Sequence, residues 1–192
     1  MARNVEFDEQ LAISRAMDVF WKKGYNGASM RDLTEAMGIS ASSVYNTIGD
    51  KHHLFIRCIS NYTETRMVAA RKQVATIKSP IKAITGFINA SAFTITSEPN
   101  SCLAIKTTFE MALGDAQVQR VLKQDSDFTY GLIRELVEKA IELKEIKVSQ
   151  DAGMLTDYII NQFGGWHESF IIHKDKARIQ KMAKFLIEIL KQ

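Results

Sequence analysis

Apolar residues recur at every third or fourth position along most of the chain, and no segment alternates between apolar and polar residues as a half-buried strand would. Proline occurs only at Pro80 and Pro99, so helix breakers are few. The pattern predicts an all-α protein. A first helix with Ile13 and Phe20 on its apolar face ends near Gly24. Further helices are predicted at about residues 30–37, 41–47, 51–78, 81–96, 102–112, 116–144, 150–173 and 176–191.

Residues 29–46 carry the most specific pattern of the chain, two short helices joined by a turn that contains a glycine. Ser29 and Ser40 stand where each helix needs a capping hydroxyl, and Gly38 stands where the first helix ends in a left-handed residue. Two helices joined in this way define a helix-turn-helix, whose second helix enters the major groove of DNA.

The second of these helices has the residues that contact with DNA requires. Small residues at 41–43 let its N-terminus approach phosphate oxygens. Tyr45 and Asn46 are expected to face outward, towards phosphate, a thymine methyl or a base edge. Lys51 opposes the dipole of the following helix, and a bound phosphate would reverse that preference. The residues predicted to contact DNA are Ser29, Arg31, Ala41, Ser42, Ser43, Tyr45, Asn46 and Lys51.

Further residues at fixed spacing surround this pattern. They are Ile13, Ala16, Phe20, Gly24, Tyr25, Met30, Asp32, Leu33, Ala36, Met37, Ile39, Val44, Gly49, Asp50, Leu54 and Phe55. With them, residues 13–57 resemble the DNA-binding domain of the TetR family of one-component transcriptional regulators. Ile48 departs from the family's usual Phe, but an apolar residue is kept. The resemblance implies a cytoplasmic homodimer with a ligand pocket in its C-terminal domain and repression that ligand relieves.

The predicted organisation follows from this resemblance and from the helix pattern. An N-terminal three-helix helix-turn-helix domain is expected at residues 1–50. A linking helix at about residues 51–78 joins it to a larger helical domain for ligand binding and dimerisation at residues 51–192.

Charge and composition change this picture little. The formal net charge is +3, and the first 58 residues carry seven basic and seven acidic side chains, so total charge gives no argument for DNA binding. The longest uncharged stretch, residues 83–97, is shorter than the roughly 20 apolar residues of a membrane span. The cysteines, Cys58 and Cys102, fit a reducing compartment. We therefore expect a cytoplasmic protein without a membrane partner.

The C-terminal half has no motif of comparable specificity. Its aromatic residues most simply build the core, and a subset is expected to line an effector pocket. The residues chosen are Cys102, Phe109, Glu110, Phe128, Trp166 and His167. Cys102 opens a helix, which lowers the pKa of a thiol, so a redox or electrophile sensor stands beside the alternative of a buried, inert cysteine. The histidines lack the spacing of metal ligands, and neither metal nor cofactor is predicted.

The last two helices suggest a subunit interface. The segment at 179–190 is apolar on more than one face, and Gly164 and Gly165 interrupt the preceding helix, as close helix approach would require. The residues predicted to form a four-helix dimer interface are Tyr158, Phe163, Trp166, Met182, Leu186 and Ile189.

The sequence thus predicts a ligand-responsive dimeric repressor that binds a palindromic double-stranded DNA operator and answers to a small-molecule effector. An enzyme is not predicted, because no Ser/His/Asp grouping, glycine-rich phosphate loop or metal cluster is found. Two alternatives remain at this point. One is a ligand carrier with an incidental helix-turn-helix, and the other is a protein-interaction module.

Overall fold

The computed structural model describes residues 8–97, 102–146 and 151–191. Their secondary structure consists of the helices α1 (Glu9–Gly27), α2 (Met30–Met37), α3 (Ala41–Thr47), α4 (Lys51–Ala75), α5 (Pro80–Ile95), α6 (Leu103–Met111), α7 (Ala116–Glu142), α8 (Ala152–His173) and α9 (Lys176–Leu190). The predicted all-α fold is confirmed. The helix ends differ from the predicted ones by a few residues. Pro99 and the predicted helix start at residue 150 lie outside the described residues.

Side-chain caps explain where most of these helices begin. Ser29 and Asp32 form a reciprocal capping box at the start of α2, and Gly38 ends that helix at φ 70°. Ser40 caps α3, and Asp50 caps α4. The short helices of the predicted helix-turn-helix are therefore fixed by local sequence.

Helix α1 departs from the prediction at Gly24. The helix was expected to end there, but it continues to Gly27 after a bend at Gly24, whose φ is 73° and ψ is 173°. This backbone conformation favours glycine, because a Cβ would be strained at a positive φ. The bend also makes room for a side chain from α6, which is described below.

Two apolar clusters organise the described residues. The N-terminal cluster contains Ala12, Ile13, Ala16, Phe20, Ala28, Leu33, Met37, Val44, Ile48, Leu54, Phe55, Cys58, Ile59, Leu103 and Val118. The C-terminal cluster is built from α5, α7, α8 and α9, with Trp166 and Ile159 among its most buried side chains. Ile48 is packed as the sequence predicts. The N-terminal cluster includes residues of α4, α6 and α7, so it does not stop at residue 50, and the domain boundary stays a prediction.

Both cysteines are free and buried. Cys58 lies in the N-terminal cluster, and burial raises the pKa of its thiol to about 12. The thiolate is therefore absent at neutral pH, and Cys58 acts as a small apolar side chain. Cys102 borders a cavity instead. Across the described ranges, no helix combines the length and the apolar character needed to cross a membrane.

Leu54→Ala tests the N-terminal cluster. Leu54 is fully buried, so truncation leaves a cavity and should lower the free energy of unfolding by about 2–5 kcal/mol. Urea denaturation measures this change. Leu113→Ala is the control, since Leu113 is fully exposed, and it should change stability by less than about 0.5 kcal/mol. Equal effects of the two substitutions would contradict the packing described here.

Candidate nucleic-acid interface and effector cavity

The N-terminus of α3 is exposed and capped by serine hydroxyls. Ser40 Oγ accepts from the backbone amide of Ser43 at 3.2 Å and lies 2.9 Å from the hydroxyls of both Ser42 and Ser43. Val44 is fully buried and fixes the helix on the N-terminal cluster. The side chain of Tyr45 is exposed, as are Ala41, Ser42 and Asn46. The helix therefore presents polar side chains and a positive dipole end to solvent.

The hydroxyl of Ser29 is used to cap α2. Its hydroxyl accepts from the amide of Asp32 at 3.1 Å and donates to Asp32 Oδ2 at 2.7 Å. Hydrogen bonds from Lys23 first, and from Ser29 next, hold the pKa of the Asp32 carboxyl well below its usual value. The capping box remains charged at neutral pH and keeps α2 in place. A DNA contact by Ser29 would have to share this hydroxyl.

Arg31 is exposed and pairs with Glu35 one turn further along α2, at 2.8 Å. An exposed pair of this kind contributes little to stability, about 0.3–0.5 kcal/mol. Its guanidinium can therefore exchange the carboxylate for a phosphate at little cost.

Lys51 has a partner that sequence reasoning missed. Its ammonium lies 4.5 Å from the ring centroid of Tyr25, which is held at the bend of α1. A cation over an aromatic face is attracted by the ring quadrupole. This contact positions the ammonium. It also offsets part of the unfavourable interaction between the ammonium and the dipole at the start of α4. The only sequence indication was Tyr25 itself, among the residues that carry the family resemblance.

Glu110 lies at the DNA-binding helices and not at the predicted effector pocket. Its Oε2 accepts from the amide of Tyr25 at 3.0 Å, and its Oε1 accepts from the amide of Asn26 at 2.9 Å. These amides are available because α1 bends at Gly24, and a Cβ on Gly24 would lie 2.8 Å from Glu110 Oε2. Lys106, one turn earlier, donates to the carbonyl of Trp21 at 2.8 Å. Helix α6 therefore binds the backbone of α1 through two side chains, Lys106 and Glu110.

A second polar contact joins the start of α4 to the start of α7. His52 Nε2 lies 2.5 Å from Asp115 Oδ2, and Asp115 also caps α7 by accepting from the amides of Gln117 and Val118. The amide of Val118 and the imidazole of His52 lower the pKa of the Asp115 carboxyl. The first turns of the two helices are thus joined beside Lys51.

A cavity of about 340 Å³ lies between α4, α5, α6, α7 and α8. Its wall contains Tyr62, Arg66, Ala69, Ala70, Gln73, Phe87, Ala90, Ser91, Thr94, Ile95, Cys102, Ala104, Ile105, Thr108, Leu122, Asp125, Ser126, Thr129, Ile160, Phe163 and Gly164. Most of this wall is apolar, with a few polar groups, which is the usual character of small-molecule sites.

Of the residues predicted for the effector pocket, Cys102 lines this cavity and Glu110 does not. Trp166 also lies outside it, in the C-terminal cluster. Phe128 is covered by Arg71, whose guanidinium carbon lies 4.9 Å from the ring centroid. Helix periodicity identifies apolar faces but not which buried face borders an empty space, and these residues lie away from the cavity.

Phe109 and His167 also lie outside the cavity wall. Phe109 is largely exposed, and its ring stacks on the imidazole of His167 with 6.2 Å between centroids. His167 is buried, and neither ring nitrogen forms a hydrogen bond within the described residues. Burial lowers the pKa of His167, and the charges of Lys106 and Lys174 lower it further, so the ring is neutral at pH 7.

The predicted interface residues divide into two groups. Phe163, Trp166 and Leu186 are buried in the subunit's own core, so they are not available to a partner. Tyr158 is exposed, and Met182 and Ile189 are half-buried. Further exposed apolar residues of α8 and α9 are Met154, Ile171, Ile172 and Phe185.

The two glycines of α8 are not explained by packing within the subunit. No atom other than those of the local helix lies within 4 Å of the position that a Cβ would take on Gly164 or Gly165. Gly165 is exposed, and Gly164 lines the cavity. The close helix approach that the sequence suggested is therefore absent inside one subunit.

A metal site is not formed by the described residues, among which no three His, Cys, Asp or Glu side chains cluster suitably.

Together, the all-helical fold and the exposed, capped α3 define a helix-turn-helix DNA-binding protein.

Comparison with known proteins identifies the family. The sequence profile described as bacterial regulatory proteins, tetR family, matches residues 12–58. The chain is 30% identical to the uncharacterized HTH-type transcriptional regulator YezE of Bacillus subtilis (strain 168) over 141 residues, which are 70% of this chain and 73% of YezE. It is 28% identical over 120 residues to the HTH-type transcriptional repressor ComR of Escherichia coli (strain K12), across 61% of this chain and 57% of ComR.

A solved structure extends the likeness over nearly the whole chain. The TetR family transcriptional regulator CifR, as a cysteine mutant in complex with 26-base-pair operator DNA, has a TM-score of 0.80 at 25% identity, across 97% of this chain and 98% of CifR. The chain belongs to the tetR family and is a DNA-binding transcriptional regulator. The resemblance predicted from the sequence is confirmed. Members of this family are regulators and not enzymes, and a ligand response and a dimeric state are typical of them.

Glu110→Ala tests the hydrogen bonds between α6 and α1. The substitution leaves two backbone amides at the bend without their carboxylate, and we expect the free energy of unfolding to fall by about 1 kcal/mol. Urea denaturation gives the value. Glu138→Ala is the matched control, because Glu138 forms only an exposed pair with Arg134, worth less than about 0.5 kcal/mol. A smaller loss for Glu110→Ala than for the control would count against this contact.

Proposed function

We propose that this chain is a ligand-responsive homodimeric repressor that binds a palindromic double-stranded operator in the cytoplasm and has no enzymatic activity. The observation that carries the proposal is the exposed N-terminus of α3, held by the caps at Ser40 and Asp50 on a buried core. Two copies of α3 would enter successive major grooves about 34–36 Å apart, or somewhat more.

The contacts to DNA divide between positioning and base recognition. Lys51 and Arg31 contact phosphates, since both are cations near helix ends of the helix-turn-helix. Tyr45 and Asn46 reach the major groove, because both are exposed on α3 while Val44 faces the core. The hydroxyls of Ser42 and Ser43 and the amides beside Ala41 take the phosphate at the helix N-terminus, and Ser29 supports α2 from its capping box.

The cavity is the effector site in this proposal. Tyr62 and Arg66 on its wall belong to α4, which also carries Lys51 at its first residue. Ala104 and Ile105 on its wall belong to α6, which also carries Glu110. An effector that displaces either helix therefore changes the position of the helix-turn-helix. A coupling of about 1–3 kcal/mol is typical for such linked sites.

Repression, rather than activation, is supported by the relatives. ComR and the Escherichia coli (strain K12) protein BdcR, which is 34% identical over 62 residues, both carry names that describe transcriptional repressors. A dimer that occupies an operator blocks access to the promoter, and release by effector restores it.

The dimer would form through the outer faces of α8 and α9. Tyr158 and Ile172 on α8, and Phe185 on α9, are exposed apolar side chains. The exposed Gly165 allows a partner helix to approach closely on the same side. Large exposed apolar side chains of this kind are typical of protein interfaces. Met182 and Ile189 are half-buried and extend the same face of α9.

Lys51→Ala and Tyr45→Ala test the DNA contacts. Each should weaken binding to the promoter segment beside the chain's own gene by about tenfold, since each removes one contact per subunit. Lys51→Ala should also reduce the salt dependence by about one unit per subunit, because it removes a phosphate contact. Fluorescence anisotropy over a salt series measures both effects.

The control for these variants is Arg134→Ala, which removes an exposed cation of α7 that pairs with Glu138. Its operator affinity should equal that of the parent. Parental affinity in both Lys51→Ala and Tyr45→Ala would overturn the assignment of the DNA site.

Phe185→Glu tests the subunit interface. A carboxylate placed in an apolar interface is costly to bury without a partner, so the dimer should dissociate at micromolar concentration. Analytical ultracentrifugation gives the mass. Leu113→Glu introduces the same charge at an exposed apolar residue between α6 and α7 and should remain dimeric. A dimeric Phe185→Glu would exclude this face of α9.

A further inference from the structure

One base and one acid face the effector cavity, and they neutralise each other. Among the described lining residues, Arg66 and Asp125 are the charged ones. Arg66 Nη2 lies 2.6 Å from both carboxylate oxygens of Asp125, and Arg66 Nε lies 3.2 Å from Oδ1. The wall of the cavity therefore carries both signs of charge at one place and no net charge.

The guanidinium of Arg66 has N–H groups that its ion pair with Asp125 does not use. Arginine has five N–H groups. Nε and Nη2 donate to Asp125, and Nη2 also donates to Thr129 Oγ1 at 3.0 Å. Within the described residues, Nη1 forms no hydrogen bond. Its two N–H groups can therefore serve an acceptor in the cavity without breaking the ion pair.

Tyr62 supplies a further donor on the same face of α4, one turn before Arg66. Its hydroxyl donates to Cys102 Sγ at 3.6 Å, and a thiol sulfur is a weak acceptor. Burial raises the pKa of Tyr62, so the hydroxyl stays protonated at neutral pH. A ligand oxygen would be a better acceptor than the sulfur and would displace it.

We propose that the cavity selects an uncharged small molecule with an apolar body and a hydrogen-bond-accepting oxygen, which accepts from Arg66 and Tyr62. Phe87, Ile105 and Phe163 on the cavity wall receive the apolar body. This inference rests on the proposed function, in which the cavity is the effector site.

Charged ligands are disfavoured for the same reason that the neutral acceptor is favoured. A carboxylate bound to Arg66 would lie close to the carboxylate of Asp125, which is already bound to the same guanidinium. A cation that approached Asp125 would meet Arg66. Either ion would also give up its hydration without a free counter-charge.

The test uses three probes that share a naphthalene body and differ in the head group. They are 2-acetonaphthone, 2-naphthoate and 2-naphthylmethylammonium, and each is titrated into the full-length protein by isothermal calorimetry. The ketone should bind at least about tenfold more tightly than either ion. The inference is overturned if either ion binds as tightly as the ketone, or if none of the three probes binds.

Asp125→Asn provides a second, independent measurement. The substitution keeps an accepting oxygen but leaves Arg66 uncompensated, so the affinity for 2-naphthoate relative to the ketone should rise at least about tenfold. Glu138→Gln is the matched control, since it neutralises an exposed acid of the same helix α7 and should leave the order of affinities unchanged. An unchanged order in folded Asp125→Asn would overturn the role of the ion pair. If Asp125→Asn does not fold, the wild-type order decides.

Failure of this inference can be told apart from failure of the proposed function. The same ligand-free protein is assayed for operator binding. Loss of operator binding counts against the proposed function, whereas a preference for an ion with intact operator binding overturns only the ligand class. A ketone that binds without changing operator affinity supports the ligand class and contradicts the ligand response.

Discussion

Helix α4 is shared by two apolar clusters, and the relation between DNA site and cavity depends on it. Leu54 and Phe55 near its start are buried in the N-terminal cluster, whereas Val74 near its end packs against the C-terminal cluster. Between them, Tyr62 and Arg66 face the cavity. At 25 residues the helix is about 37 Å long, so it spans the distance between the two clusters. In the proposed function, a displacement of α4 at the cavity would also move its first turn, which carries Lys51.

Helix α6 forms a second connection, and it differs in kind from the first. Leu103 at its start is buried in the N-terminal cluster, and Cys102 beside it lines the cavity. Its last turn holds the bend of α1 through Glu110. Tyr62 of α4 also connects the cavity to α1. Its side chain lines the cavity, and its ring centroid lies 5.1 Å from that of Trp21. The cavity is thus connected to α1 indirectly, through α4 and α6.

Structural features that depend on residues close together in the sequence could be predicted from it. The capping box at Ser29, the left-handed Gly38 and the capped α3 are local features, and the structure has all of them. The contact of Glu110 with α1 was missed, because contacts across 84 or 85 residues have no periodic signature in a single sequence. Most of the cavity lining, apart from Cys102, was missed as well. Phe163 was assigned to the interface for the same reason. Helix periodicity marks it as apolar but does not say which neighbour it meets.

The polar contacts between the bend of α1 and α6 are suited to a switch by their modest strength. A hydrogen bond such as those of Glu110 contributes about 1 kcal/mol net, and an exposed ion pair contributes less. The apolar clusters on either side consist of buried side chains, and packed side chains resist gradual deformation. An effector therefore does not need to unfold either cluster. In the proposed function, differential effector binding of about 1–3 kcal/mol equals the strength of a few polar contacts at the bend of α1, so it would be enough to rearrange them.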